Sequence, residues 1–74
     1  MKKFIFNLKN IRKSKGINQS ELAKLMNTNQ QQISKYENSV ELPGLEKLVE
    51  IAISLDVTLD DLIEIKQIKE NEKD

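Results

Sequence analysis

Two helix-start signals only eleven residues apart, at Asn18 and Asn29, constrain this chain more than any other feature. Asn18 is followed three residues later by Glu21, the spacing of a capping box, in which each side chain bonds a free backbone N–H at the helix start. Asn29 can cap the segment that follows it in the same way. The predicted buried face of the first segment consists of Leu22, Ala23, Leu25 and Met26. The sequence therefore predicts two short helices joined by about three residues.

Helical spacing continues through most of the chain, and strand patterns are nearly absent. A first helix is predicted over about 4–15, ending at Gly16, a fourth over about 45–55 after a loop at Pro43, and a fifth from Leu59, capped by Thr58 and Asp61. The predicted buried face of the fourth helix consists of Leu45, Leu48, Val49, Ala52 and Leu55. We therefore predict an all-α fold, a compact five-helix bundle over 4–64, followed by a C-terminal helix extension and polar tail over 65–74.

The composition excludes several classes of function. The chain has 74 residues with no Cys and no His, so thiolate and imidazole ligands, a Cys nucleophile and the usual general base are absent. A chain this short is also too small a scaffold to enclose a substrate between paired carboxylates, and we expect no enzyme and no metal or other cofactor. No run approaches the ~20 apolar residues of a membrane helix, and the triplet 4–6 is too short for a secretory leader. We expect a cytoplasmic protein with no membrane association.

The formal net charge is zero, but the charges are segregated along the chain. Residues 1–38 carry eight Lys and Arg against two Glu, a balance of +6, whereas residues 39–74 carry four Lys against ten Asp and Glu, a balance of −6. The basic half can face phosphates while the acidic half stays in solvent or meets a protein partner.

Residues 18–38 read NQSELAKLMNTNQQQISKYEN, and this stretch resembles the Cro/C1-type (XRE-like) helix-turn-helix proteins, which include lambdoid phage repressors and many small bacterial regulators. The resemblance is carried by Gln19, Ala23, Ile33, Glu37 and Asn38 and extends over about 6–64. It implies a lambda-repressor-like fold in which helices two and three form the helix-turn-helix. It also implies a bacterial or phage-encoded regulator, most often a repressor, that binds double-stranded DNA.

Two positions depart from the pattern of that family. Asn27 and Ser39 stand where the family usually has glycine. Asparagine tolerates the left-handed region at modest cost, so the first departure is a small one. Serine adopts the left-handed region less readily, so we expect a loop of a different shape after the third helix.

The third predicted helix, over 30–37, opens with three glutamines. Glutamine both donates and accepts hydrogen bonds, and it pairs bidentately with adenine in the major groove. The N-terminal residues of a recognition helix approach the bases most closely. The predicted base contacts are therefore Gln30, Gln31 and Gln32, with Lys35 added by resemblance, where it touches a base or a phosphate. The alternative is a glutamine-rich solvated face without a target.

A second set of residues is predicted to hold the DNA backbone, namely Gln19, Asn29, Ser34 and Asn38. Gln19 lies at the positive end of the second helix, where it can anchor a phosphate, although a polar residue at a helix start also has a purely local role. The resemblance further implies a structural ion pair between Arg12 and Glu37, the alternative being a phosphate contact for Arg12.

One recognition helix covers only a few base pairs, whereas two copies related by a two-fold axis read a palindrome. We therefore expect a homodimer, with Leu62, Ile65 and Ile68 as its candidate interface, although these residues also fit an ordinary core with scattered exposed apolar side chains. The main alternative to a DNA-binding regulator is a protein-binding module, such as an antitoxin, whose acidic segment 56–74 binds a partner protein.

Overall fold

The computed structural model describes the backbone of residues 2–67 and the side chains of residues 4–65. The elements follow in the order β1 (Lys2–Phe6), α1 (Leu8–Ser14), α2 (Gln19–Leu25), α3 (Gln30–Glu37), α4 (Leu45–Leu55), α5 (Leu59–Leu62) and β2 (Ile63–Gln67). The five predicted helices are thus present in the predicted order. The prediction for Ile68, and residues 68–74 of the predicted C-terminal helix extension and polar tail, lie outside the described residues.

The two strands correct the all-α prediction. β1 and β2 pair antiparallel, with Phe4 opposite Ile65 and Phe6 opposite Ile63. The first helix therefore begins at residue 8 and not at residue 4, and residues 65–67 form a strand where a helix extension was predicted. The sequence did not predict these strands because each is stabilised by pairing with a segment far away in the chain. Packing across such a pair leaves no periodic pattern of apolar residues within either five-residue segment.

The helix starts follow the predicted caps. Asn18 and Glu21 form a complete capping box at the start of α2, and Thr58 and Asp61 form another at the start of α5. The side chain of Asn29 accepts a backbone N–H from the first turn of α3. These bonds satisfy donors that a short helix leaves without an intrahelical partner, so all three boundaries are confirmed.

Three of the turns use left-handed backbone at a residue other than glycine, and these residues are Asn27, Ser39 and, at the end of α4, Asp56. Asn27 turns the chain between α2 and α3 with φ of 56°, and Ser39 ends α3 with φ of 58°. Asparagine visits this region readily, whereas serine has no such preference and the conformation costs it roughly 1–2 kcal/mol. The backbone at position 39 therefore has a conformation that favours glycine, although the residue there is serine.

A single core joins the helices, and Phe6 and Ile63 of the strands pack against it. Its buried apolar residues are Leu8, Leu22, Ala23, Met26, Ile33, Tyr36, Ile51, Ala52, Leu55 and Leu62. Three residues predicted to be buried, Leu25, Leu45 and Val49, are exposed, whereas Ile51 is fully buried.

α4 carries two overlapping apolar stripes, 45/49/53 and 48/51/52/55. Only packing against the rest of the fold selects the second stripe for the core. In the described part of the chain, no helix combines the length and apolar character needed to cross a membrane.

Candidate nucleic-acid interface

The helices α2 and α3 are joined by residues 26–29 and present one side of α3 to solvent. α3 buries Ile33 and Tyr36, so it is fixed to the core through one face. Its opposite face carries the exposed side chains of Gln30, Gln31 and Lys35. A short helix anchored on one side and polar on the other can enter the major groove, which is wide enough to admit an α-helix.

A buried ion pair lies beneath this surface and joins α1 to the end of α3. Arg12 Nε donates to Glu37 Oε2 at 2.5 Å and Arg12 Nη2 donates to Glu37 Oε1 at 3.1 Å. Arg12 Nη1 also donates to the carbonyl oxygen of Ile17 at 2.8 Å. The Arg12 and Glu37 side chains are only 8% and 1% exposed. Because of this bidentate geometry, the guanidinium is occupied within the protein and unavailable as a phosphate contact.

The protonation of the pair follows from its surroundings. Burial raises the pKa of Glu37. Hydrogen bonds from Arg12 and Gln19 lower it, and so do the positive charges of Arg12 and Lys9. Together these interactions outweigh the effect of burial and hold the pKa of Glu37 below its ordinary value. The hydrogen bond to Glu37 raises the pKa of Arg12. Both groups are therefore charged near neutral pH, as a buried pair requires.

Gln19 links this ion pair to the first residue of α3. Its Nε2 donates to Glu37 Oε1 at 3.0 Å, and its Oε1 accepts from Gln30 Nε2 at 3.1 Å. Ser20 Oγ in turn donates to Gln30 Oε1 at 3.2 Å. The half-buried Gln19 side chain therefore fixes the position of Gln30. Ser20 was missed by sequence reasoning, because a partner ten residues away has no periodic signal.

The three glutamines of α3 have different surroundings. Gln30 is exposed but oriented by Gln19 and Ser20, and Gln31 is exposed. Gln32 is half-buried, and its amide nitrogen is inaccessible to solvent and bonds to no atom among the described residues. A donor buried in this way cannot reach a base edge without a rotamer change, so Gln30 and Gln31 are better placed for base contacts in this conformation, and a base contact by Gln32 stays a prediction.

The remaining predicted backbone contacts lie at the two ends of α3. At the start, the carbonyl oxygen of the Asn29 side chain is used in the cap. At the end, Asn38 Nδ2 donates to the carbonyl oxygen of Ser34 at 3.0 Å and to its Oγ at 3.2 Å. Asn29 and Asn38 are exposed and Ser34 is half-buried. These contacts shape both ends of the helix and leave the two asparagines on the surface.

The predicted dimer residues do not share one surface. Leu62 is completely buried in the core, so its assignment to an interface was wrong, because its side chain has no exposed atoms to offer a partner. Ile65 is 68% exposed on β2. The change from helix to strand after Leu62 is what separates the two, because it ends the three-residue spacing on which the prediction relied.

The arrangement of α2, α3 and the core defines a helix-turn-helix domain, and comparison with known proteins agrees. The helix-turn-helix family profile matches residues 8–62. The chain therefore belongs to the Cro/C1-type helix-turn-helix family, a class of DNA-binding regulators. No curated protein matches the sequence significantly.

Two solved structures are similar to the chain over most of its length. A candidate DNA-binding protein from Bacteroides fragilis has a TM-score of 0.78 and 26% identity, with 84% of this chain and 100% of that chain covered. A transcriptional regulator from Listeria innocua has a TM-score of 0.70 and 26% identity, with 88% of this chain covered. The chain spans 61% of the Listeria protein.

Proposed function

We propose that this chain is a sequence-specific transcriptional repressor of a bacterial or phage system, which inserts α3 into the major groove of a palindromic operator as a homodimer. Gln30 and Gln31 read base edges, and Lys35 contacts a base or a phosphate one turn later. Asn29 and Asn38, at the two ends of α3, bond the flanking phosphates together with Gln19 and Ser34. The bound dimer represses transcription because it prevents other proteins from binding the operator.

One observation carries the proposal, namely the orientation of Gln30 by a hydrogen-bond chain that begins in the buried ion pair. Glu37 holds Gln19, and Gln19 holds Gln30, with contacts of 3.0 and 3.1 Å. A glutamine on a merely solvated surface gains nothing from being held in one rotamer, whereas a base reader loses less side-chain entropy on binding when it is already oriented. The amide of Gln30 keeps one N–H and one lone pair for a base.

The positive charge of the segment from α1 to α3 supports binding to DNA. The described lysines of α1 to α3 are all exposed, and they are Lys9, Lys13, Lys15, Lys24 and Lys35. Exposed lysines attract the phosphate backbone without sequence preference and make binding dependent on salt. The glutamines then supply the preference for particular bases.

The test is selection of a binding site from random duplex DNA, followed by titration of the wild type, Gln31→Ala and Lys35→Ala at several salt concentrations. Gln31→Ala is expected to lower the preference for the selected site over altered sites by about 1–3 kcal/mol. If Lys35 contacts a phosphate, Lys35→Ala weakens all sites similarly and reduces the salt slope by about 1; if it contacts a base, it changes site preference instead.

Lys47→Ala is the matched control, because Lys47 is an exposed lysine paired with Glu50 on α4 and belongs to neither α2 nor α3. It is expected to leave both site preference and affinity unchanged. The absence of any selected site, together with binding of Gln31→Ala that equals the wild type, would refute DNA recognition and favour the protein-binding module.

A further inference from the structure

Most of the exposed apolar side chains lie in the acidic half of the chain. Residues 39–65 carry seven Asp and Glu against one Lys, a balance of −6. In the described part of the chain, nine large apolar side chains are exposed, and seven of them belong to this segment, namely Val40, Leu42, Leu45, Val49, Ile53, Leu59 and Ile65. An acidic segment repels phosphates, so it is unsuited to DNA. Exposed apolar side chains that lie together mark a site of contact with a partner.

Three of these side chains form one stripe along α4. Leu45, Val49 and Ile53 are spaced by four, which places them on one side of the helix, and they are 72%, 40% and 74% exposed. Successive residues of an α-helix are rotated by about 100°, so Glu46 and Glu50 lie along the edge of this stripe on the side of Ile53. Glu46 is exposed and the side chain of Glu50 is 41% exposed. We call these five residues the α4 surface.

An apolar groove borders the α4 surface along its other edge. Leu48 is rotated by about 60° from Leu45 around the helix, in the direction opposite to Glu46. It belongs to a groove of about 200 Å³, which is lined by Phe4, Phe6, Leu42, Pro43, Leu48 and Ile63. A cavity of about 150 Å³ with a lining of Leu, Ile and Phe holds a benzene ring. The groove therefore has room for one aromatic side chain.

We propose that the α4 surface and the adjoining groove bind an amphipathic helix of a partner protein, which carries Lys or Arg along one edge of its apolar face. Apolar residues of the partner, spaced by three and four, cover Leu45, Val49 and Ile53 as one helix packs against another. One aromatic side chain of the partner fills the groove. The basic residues of the partner face Glu46 and Glu50, because opposite charges across an interface fix its orientation. This partner is additional to DNA, and the proposal does not depend on DNA recognition by α3.

The positions of the carboxylates disfavour a second copy of this chain as the occupant. A two-fold dimer uses the same surface on both copies. If the two α4 helices pack antiparallel, Glu46 and Glu50 of one copy lie beside the same residues of the other, and like charges oppose the contact. If they pack parallel, the carboxylates of each copy lie over the apolar groove of the other, where a charge is costly. Lys47, the one basic residue of α4, is already bonded to Glu50 of its own chain at 3.3 Å.

The test is selection of peptides from a random library displayed on phage, with the full chain immobilised in the absence of DNA. Peptides are retained when they bind the wild type but not the double variant Leu45→Ser, Ile53→Ser. The retained peptides are expected to carry apolar residues at helical spacing, one of them aromatic, with Lys or Arg along one edge. Peptides without helical spacing, peptides with acidic residues along that edge, or the absence of any retained peptide would overturn the proposal.

Charge at the α4 surface is tested with one retained peptide, labelled with fluorescein and titrated by fluorescence anisotropy. The double variant Glu46→Lys, Glu50→Lys is expected to bind this peptide about tenfold more weakly than the wild type at low salt, with a smaller difference at high salt. A peptide whose basic residues are replaced by Glu is expected to bind that variant better than it binds the wild type. Equal binding of the first peptide to the wild type and the charge variant contradicts a basic partner.

Leu25→Ser is the matched control, because Leu25 is a 58% exposed leucine that lies on α2. It is expected to leave the dissociation constant of the peptide unchanged, and circular dichroism of every variant establishes that each is folded. A loss of binding equal to that of the Leu45→Ser, Ile53→Ser variant would show general apolar adhesion and overturn the proposal. Sedimentation equilibrium without peptide tests the other occupant: a wild-type dimer that the same double variant dissociates would show that a second copy covers the α4 surface.

DNA binding separates failure of this proposal from failure of the proposed function. The Leu45→Ser, Ile53→Ser variant is expected to bind the selected DNA site like the wild type, and Gln31→Ala is expected to bind the peptide like the wild type. A chain that binds the peptide but no selected DNA retains the α4 surface and loses the proposed function. A chain that binds its selected DNA but retains no peptide keeps the proposed function and loses the α4 surface.

Discussion

Removing Glu37 tests whether the buried ion pair holds the domain together. The Arg12 side chain is 8% exposed in the wild type, and in Glu37→Ala its guanidinium loses both of its hydrogen bonds to the carboxylate. An uncompensated buried charge of this kind costs about 3–5 kcal/mol. A domain of this size has a total free energy of unfolding of only about 4–11 kcal/mol. Glu37→Ala is therefore expected to be partly unfolded at 37 °C, as measured by urea unfolding followed by circular dichroism.

Two controls separate this explanation from general damage. Glu50→Ala breaks the ion pair of Glu50 with Lys47, whose partners are 41% and 49% exposed, and is expected to cost no more than about 1 kcal/mol. Arg12→Met combined with Glu37→Leu removes both charges and is expected to be more stable than Glu37→Ala. A loss below about 1 kcal/mol in Glu37→Ala, or a double variant that is less stable than the single one, would refute the reasoning.

Three further predictions concern stability. The pKa of Glu37 in the folded protein is below its ordinary value, so the contribution of its carboxylate to the free energy of unfolding is complete above the unfolded pKa and is lost as pH falls through the folded pKa. Urea unfolding between neutral pH and pH 3 should therefore show a steeper loss of stability with falling pH in the wild type than in Glu37→Gln. Equal slopes for the two proteins would contradict this. Ser39→Gly should raise the free energy of unfolding by about 0.5–1 kcal/mol, because φ is 58° at that position. Ser54→Gly within α4 is the control and should lower the free energy of unfolding. A lower Tm for Ser39→Gly than for the wild type would count against the strain argument. Asn18→Ala should cost about 1 kcal/mol through loss of the cap of α2, and an unchanged urea midpoint would show that the capping bond contributes nothing.

Much of the candidate DNA-binding surface was predictable because its signals are local. A cap followed by a carboxylate three residues on, at Asn18 and Glu21, fixes a helix start through bonds made within one turn. The exposed glutamines follow directly from the position of Asn29, since the residues after a cap form the first turn. The pairing of Arg12 with Glu37 came instead from the family resemblance, and the structure shows these two side chains bonded to each other.

Other features of the surface needed the tertiary structure. Gln32 and Gln31 are identical in chemistry and adjacent in sequence, yet burial of the amide nitrogen separates Gln32 from its neighbour. The bond from Gln19 to Gln30 spans two helices, and only their packing brings the side chains together. Which of the two stripes of α4 faces the core was decided in the same way.

The sequence by itself determined the presence and order of five helices, the side-chain caps of α2, α3 and α5, the turn at Asn27 and the family, because each depends on contacts within a few residues or on a motif. Only the tertiary structure decided that the two ends of the chain pair as strands. Residues 2–6 and 63–67 are far apart in sequence, and each is too short to be a stable strand alone. Packing of Phe6 and Ile63 against the helical core stabilises the pair, and that core exists only after the helices have assembled.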